Sequence, residues 1–225
     1  NTCMKKIFFL LNDFSEFNMQ GYCDKYLSDY IVSSGSELPN NAGDFSLIVP
    51  WNYQKVIRNY AFNNIVIFHS SDLPSGKGWA PIFNAFNKNL KYYVISAVLL
   101  SERVDSGDIV AKAKFKIKNT HTAEIIRKID EEIVFMMAAK IVERFDGKEL
   151  TGVKQNSLNE SYYMRRYPQD NEVNTDDSLN NLIYKLKGCE KSHPAFFNFK
   201  GDEFVISIKP KIMPSFPEDL QITFL

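Results

Sequence analysis

Apolar and polar positions along this chain follow two periods, and the switches between them mark the elements. Lys5-Lys6-Ile7-Phe8-Phe9-Leu10-Leu11 is apolar on both faces, as a central parallel strand requires. Tyr22, Tyr26, Leu27, Tyr30 and Ile31 recur at helical spacing and predict a helix from about Gln20 to Val32. Ser33 to Gly43 is polar and punctuated by Gly35 and Pro39, so a loop is expected. Phe45 to Val49 predicts a second strand, Tyr53 to Tyr60 a short helix, and Ile65 to Phe68 a buried strand that ends on His69. Strands and helices alternating at these intervals imply a parallel βαβ sheet.

After a helix expected from Pro81 to Asn87, the pattern changes. Lys91 to Leu100 and Ile109 to Ile117 are β-rich, separated by the acidic turn Ser101 to Asp108. A long helix then runs from Thr120 or Thr122, either of which can cap it, to about Phe145, with Ile125, Ile129, Ile133, Met136, Met137 and Val142 on its core face. Thr151 to Asp177 is irregular. Ser178 to Lys187 predicts a helix, and Phe196 to Phe199 with Phe204 to Ile208 predict a hairpin around Lys200-Gly201-Asp202. The expected fold class is α/β: a Rossmann-like parallel-sheet core over 4–150 and a small β-rich extension over 151–225.

Length and charge narrow the function. With 225 residues the chain can bury a sizeable core. The 27 Lys and Arg balance 27 Asp and Glu, whereas a protein that grips nucleic acid by its phosphates shows a basic excess or stripe. No nucleic-acid partner is expected. No apolar run approaches a membrane span, so none is expected in a membrane. Cys3, Cys23 and Cys189 are scattered without metal-ligand spacing, from which a cytoplasmic, disulfide-free protein without a metal is expected. The turn Asn12 to Asn18 has no glycine, which argues against a phosphate cradle after the first strand.

His69 stands at the carboxyl end of a buried strand, where open α/β sheets place ligand sites, and passes into a loop with Pro74, Gly76 and Gly78. Histidine is the usual acid or base near neutral pH, and a carboxylate such as Asp105 can hold its charged form. Taken alone, the same arrangement also suits a structural histidine.

His69-Ser70-Ser71-Asp72-Leu73-Pro74, with Lys77-Gly78 and Pro81-Ile82, resembles the first signature of the folate-dependent formyltransferases. Val104-Asp105-Ser106-Gly107-Asp108-Ile109 is similar to their second, at the family's interval, and His193-Pro194-Ala195-Phe196-Phe197 is similar to a later segment. The resemblance implies N10-formyltetrahydrofolate as donor and a neutral amine as acceptor. It gives His69 the role of stabilising the oxyanion and Asp105 that of orienting it and managing protons. The pterin would lie against Val98, Leu99, Leu100, Val104 and Asp105. One position departs: the family has Asn two residues before its His, and here Ile67 stands there, leaving Asn12 or a backbone N–H as the candidate donor.

Within that family a methionyl-tRNA formyltransferase is expected to have a further carboxyl-terminal domain and basic surface, and a glycinamide ribonucleotide enzyme a Gly-rich phosphate loop. Neither matches. Ser71 to Trp79 and Tyr163-Met164-Arg165-Arg166-Tyr167-Pro168 resemble the sugar N-formyltransferase branch. Lys77, Gly78, Trp79, Tyr163, Arg165 and Arg166 are the expected substrate-binding residues. The expected acceptor is a nucleotide-linked amino sugar such as dTDP-4-amino-4,6-dideoxyglucose, for surface polysaccharide, and a homodimer is expected, with the apolar run Ile222 to Leu225 at its interface. A hydrolytic or purine-pathway enzyme of the same fold, and a catalytically lapsed binding module, are the alternatives.

Overall fold

The computed structural model describes residues 6–11, 19–34, 37–51, 53, 57, 60, 63–146 and 148–225. In chain order the elements are β1 (Ile7–Leu11), α1 (Met19–Tyr26), β2 (Tyr30–Ser34), β3 (Leu47–Pro50), β4 (Val66–His69), β5 (Lys77–Gly78) and α2 (Pro81–Asn87). They continue as β6 (Tyr92–Leu99), β7 (Ile109–Lys116), α3 (Ala123–Arg144), β8 (Tyr162–Tyr163), α4 (Leu179–Gly188), β9 (Ala195–Phe199), β10 (Asp202–Ile206) and β11 (Gln221–Phe224).

All five side chains of β1 are buried, and the strand is flanked in parallel by β2 and β3. A parallel bridge between Ile48 and Ile65 carries the sheet on to the chain entering β4. From there the pairing becomes antiparallel: β4 with β6, β6 with β7 and β7 with β11. The architecture is α/β, with a parallel half followed by an antiparallel half. Antiparallel pairing follows from the short turn between β6 and β7, because a parallel return needs a crossover of a dozen residues or more.

One expectation is corrected here. The helix expected to reach Val32 stops at Tyr26, and Tyr30 to Val32 belong to β2. Branched Ile31 and Val32 fit a pleated surface, and the tyrosines' helical spacing continued into a strand by coincidence. The run Ile222 to Leu225 lies at a sheet edge: Ile222, Thr223 and Phe224 belong to β11, paired on one side with β7, and Leu225 is exposed. Most of the expected helix from Tyr53 to Tyr60, all but Tyr53, Ile57 and Tyr60, and the turn Asn12 to Asn18, Asn12 included, lie outside the described residues.

Helix α3 closes the core. Its buried stripe includes Ile126, Val134, Met137 and Ile141, packed with Phe9, Trp51 and Phe86 in one cluster. Thr122 occupies its N-cap without a side-chain bond to the first turn. Pro81 starts α2, whose missing N–H costs nothing in a first helical turn. The hairpin turn places Lys200 and Gly201 both at positive φ, the geometry that matches the twist of the flanking strands. Segment 151–225 is joined to the rest: Val153 exchanges backbone bonds with Ile109, and β8 pairs with β5.

Candidate active site

β4 delivers His69 at its carboxyl end, 8% exposed. Its Nε2 donates to the Gly76 carbonyl at 2.8 Å, so Nε2 carries the hydrogen, and Nδ1 faces Asp105 Oδ2 at 3.5 Å. The loop can return this closely because Gly76 and Gly78 have φ of +78° and +93°. A Cβ on Gly78 would sit 2.8 Å from the Tyr163 carbonyl oxygen.

Asp105 lies behind the imidazole. Its Oδ2 accepts from the Gly78 N–H at 3.0 Å, and its own φ is +53°, a conformation that aspartate tolerates better than most residues. Gln155 Nε2 donates to the carbonyls of Asp105 and Gly107, both at 2.8 Å, which holds this turn. The turn also presses on β6: a Cβ on Gly107 would lie 1.7 Å from the Leu99 carbonyl oxygen.

A cleft of about 470 Å³ opens beside His69. On one side stand Trp79, 53% exposed, and Arg165, whose guanidinium lies 5.3 Å from the indole centroid. On the other, α3 presents Arg127, Asp130 and Glu131. Arg127 is held bidentately by Glu190, at 2.7 and 2.6 Å. Asp130 Oδ2 accepts from Ser70 Oγ and Tyr93 Oη, each at 2.7 Å. Burial raises the Asp130 carboxyl above its ordinary range, against the two hydroxyl bonds that lower it. Burial also pushes the Tyr93 phenol well up, so it stays a donor. Glu131 is raised to about 7, by burial first and then by the neighbouring Asp130 charge.

The structure brings His69, Gly78, Trp79, Arg165 and Arg166 together around this cleft. Arg166 is already engaged, donating to Asn171 Oδ1 and to Cys189 Sγ and lying over Phe83. Lys77 points elsewhere: it is buried, with Nζ at 2.6 Å from Glu160 and 2.8 Å from Ser106 Oγ. Tyr163 lies against Gly76 and under Lys88, in a neighbouring groove. Leu99 and Leu100 line a smaller cleft of about 220 Å³ with Ile65, Ser106 and Asp108. Val98 is enclosed by Leu73, Ile109 and Ile67, and Val104 is exposed. Ile67, packed in that apolar cluster, offers no hydrogen bond to a ligand. Sequence reasoning missed Ser70, Tyr93, Arg127, Asp130 and Glu131. The available signal was Asp130 itself, a charge in the helical series Ile126, Asp130, Val134, Met137.

Among the described residues no group of three or more His, Cys, Asp or Glu could hold a metal ion, and no helix is long and apolar enough to cross a membrane. Cys23 and Cys189 are free thiols.

The formyl transferase family matches residues 13–135, more than half of the sequence, and the chain belongs to that family. The methionyl-tRNA formyltransferase of Pelagibacter ubique (strain HTCC1062) is 26% identical over 170 residues, covering 72% of this chain and 54% of that protein. The chain spans about half the length, or less, of the curated relatives it matches. Among solved structures, HypX from Aquifex aeolicus in complex with tetrahydrofolic acid superposes with a TM-score of 0.72 at 18% identity, covering 94% of this chain and 39% of that one. The N-formyltransferase from Helicobacter canadensis, in complex with folinic acid and dTDP-3-aminofucose, gives 0.67 at 13% identity, covering 88% of this chain and 85% of that one. At these identities the likeness shows the fold.

Proposed function

We propose that this protein transfers the formyl group of N10-formyltetrahydrofolate to the amine of a nucleotide-linked amino sugar, with dTDP-4-amino-4,6-dideoxyglucose the first candidate. The observation that carries the reading is Arg165 stacked on exposed Trp79 at the rim of the His69 cleft. No carboxylate among the described residues pairs with Arg165. A guanidinium in that state suits a diphosphate, and the indole suits a base or sugar face. The Helicobacter canadensis protein, whose complex holds a folate and a dTDP-amino sugar, supports the same choice. The Pelagibacter relative acts on methionyl-tRNA by its name, but zero net charge supports a small acceptor over a tRNA.

On this reading the donor's ring system lies in the cleft where Ile65, Leu99 and Leu100 stand with the polar Asn63, Ser106 and Asp108, beside the Asp105 turn. His69 Nε2–H exchanges the Gly76 carbonyl for the formyl oxygen and stabilises the charge that develops there. Asp105 keeps the imidazole in place from behind. One copy of the chain lends itself to pairing with a second, as expected of this branch, and the reaction belongs to surface-polysaccharide assembly in the cytoplasm.

A second reading, a binding protein without turnover, is favoured by one observation: Ile67 supplies no donor where the family has asparagine. Incubating the protein with formyl-tetrahydrofolate and a panel of nucleotide amino sugars, alongside methionyl-tRNA, separates these. A product heavier by one formyl group with a sugar supports the proposal. Product with tRNA alone, or binding of both ligands without product, refutes it.

A further inference from the structure

Asp105 does not face the cleft where an acceptor fits, since its side chain is turned to His69 Nδ1 and the Gly78 N–H. Of the carboxylates that line the cleft, Glu190 is taken up by Arg127, and Glu131 sits one residue further along α3. Asp130 is 9% exposed, and Ser70, next in sequence to His69, donates to it. Two hydroxyls donate to the same oxygen, Oδ2, which fixes the carboxylate's orientation and favours its anionic form. The other oxygen, Oδ1, takes no hydrogen bond from the described residues. Arg127, one turn back on α3, forms no ion pair with it. Asp130 lines the cleft, and Oδ1 is not among the buried polar atoms left without a partner, so it is the oxygen an arriving cation can meet.

We propose that Asp130 is the residue that binds the acceptor's ammonium and takes its first proton, an inference that rests on the formyl-transfer reading and names the acceptor as a primary amine. The sugar ammonium docks on Oδ1 and gives it one proton, leaving a neutral amine and a carboxylic acid. The amine nitrogen attacks the formyl carbon, the bond from that carbon to N10 breaks, and the attacking nitrogen's second proton ends on N10. Asp130 then releases its proton to solvent. Hydroxyl sugars of the same shape lack the charge and the proton, so the cleft discriminates against them.

The experiment is calorimetric titration of wild type and Asp130→Asn with dTDP-4-amino-4,6-dideoxyglucose and with its 4-hydroxyl counterpart, followed by turnover assays. Wild type should prefer the amine by roughly tenfold to a hundredfold, as a charge-assisted hydrogen bond provides. Asp130→Asn should lose that preference, keep its affinity for the hydroxyl sugar and lose kcat. Wild type without an amine preference overturns the role of Asp130, a result that needs no variant to fold. So does an Asp130→Asn protein that formylates at the wild-type rate; either result leaves formyl transfer standing. An amine preference that Asp130→Asn abolishes, with no formylation by wild type, leaves ammonium recognition intact, refutes formyl transfer, and with it the proton-transfer half of the proposal.

Discussion

Replacing Glu131 by Gln should stabilise the protein in alkaline solution and leave it unchanged in acid. Glu131 is half-buried at the cleft wall, and its carboxyl is raised from 4.5 to about 7, by burial first and then by Asp130, with Arg127 opposing. A raised carboxyl binds its proton more tightly in the folded protein than in the unfolded chain, so stability falls as pH rises through this window. At about 1.4 kcal/mol per pKa unit, reduced by the solvent screening that a half-buried group keeps, the cost above pH 7 is about 2 kcal/mol. Glu131→Gln removes it. His121 acts in the opposite direction. It is fully buried, with Nδ1 accepting from the Lys118 N–H, and burial lowers it from 6.5 to about 4. Its contribution is full above about 6.5 and is lost as pH falls towards 4. The two slopes oppose each other over most of the same range, so Glu131→Gln should show a stability that climbs with pH more steeply than wild type. Urea denaturation at a series of pH values, extrapolated linearly, measures this. The gap between variant and wild type should grow from near zero at pH 4 to about 2 kcal/mol at pH 8. A gap that stays constant with pH would refute the buried-carboxyl account.

Three further outcomes are expected. Gly107→Ala should destabilise by about 2 kcal/mol or more, because the new methyl meets the backbone of Leu99 and the turn that carries Asp105 must move; a denaturation midpoint equal to wild type would contradict this. His69→Asn and Asp105→Asn should each lower kcat by about a hundredfold or more while nucleotide-sugar binding persists, read by product mass and calorimetry, and unchanged turnover in either variant removes that residue from the mechanism. Arg165→Ala should weaken nucleotide-sugar binding roughly tenfold, measured as a shift in Kd; equal affinities would leave the Trp79 rim without a phosphate contact.

The first half of the fold was legible because buried strands write their signal in unbroken apolar runs: β1 and β4 stand out in Ile7–Leu11 and Ile65–Phe68. The boundary near Tyr30 was not, since four residues separate a helical period from a strand only weakly. Long-range pairing left no local mark at all. Nothing in Gln221 to Phe224 says that this segment returns to lie beside Lys112 and Lys114. In the site, His69 was marked by its place after a buried strand and Asp105 by the resemblance of its turn to a family signature, and the two side chains lie 3.5 Å apart. The opposite wall was missed because Arg127, Asp130 and Glu131 read as an ordinary charged helix surface until tertiary packing turned that face inward. Asp130 broke the apolar stripe of α3, and a charge at a core position is where local consistency gives way to a site.

The central claim is that one formyl carbon passes from a folate nitrogen to a sugar nitrogen at the His69 cleft. The direct test is nuclear magnetic resonance with an isotope-labelled formyl carbon on the folate and dTDP-4-amino-4,6-dideoxyglucose as acceptor. The label should leave the folate and reappear as a formamide on the sugar, with wild type and not with His69→Asn. Label that stays on the folate, or that is released as formate whether or not the sugar is present, would contradict the account.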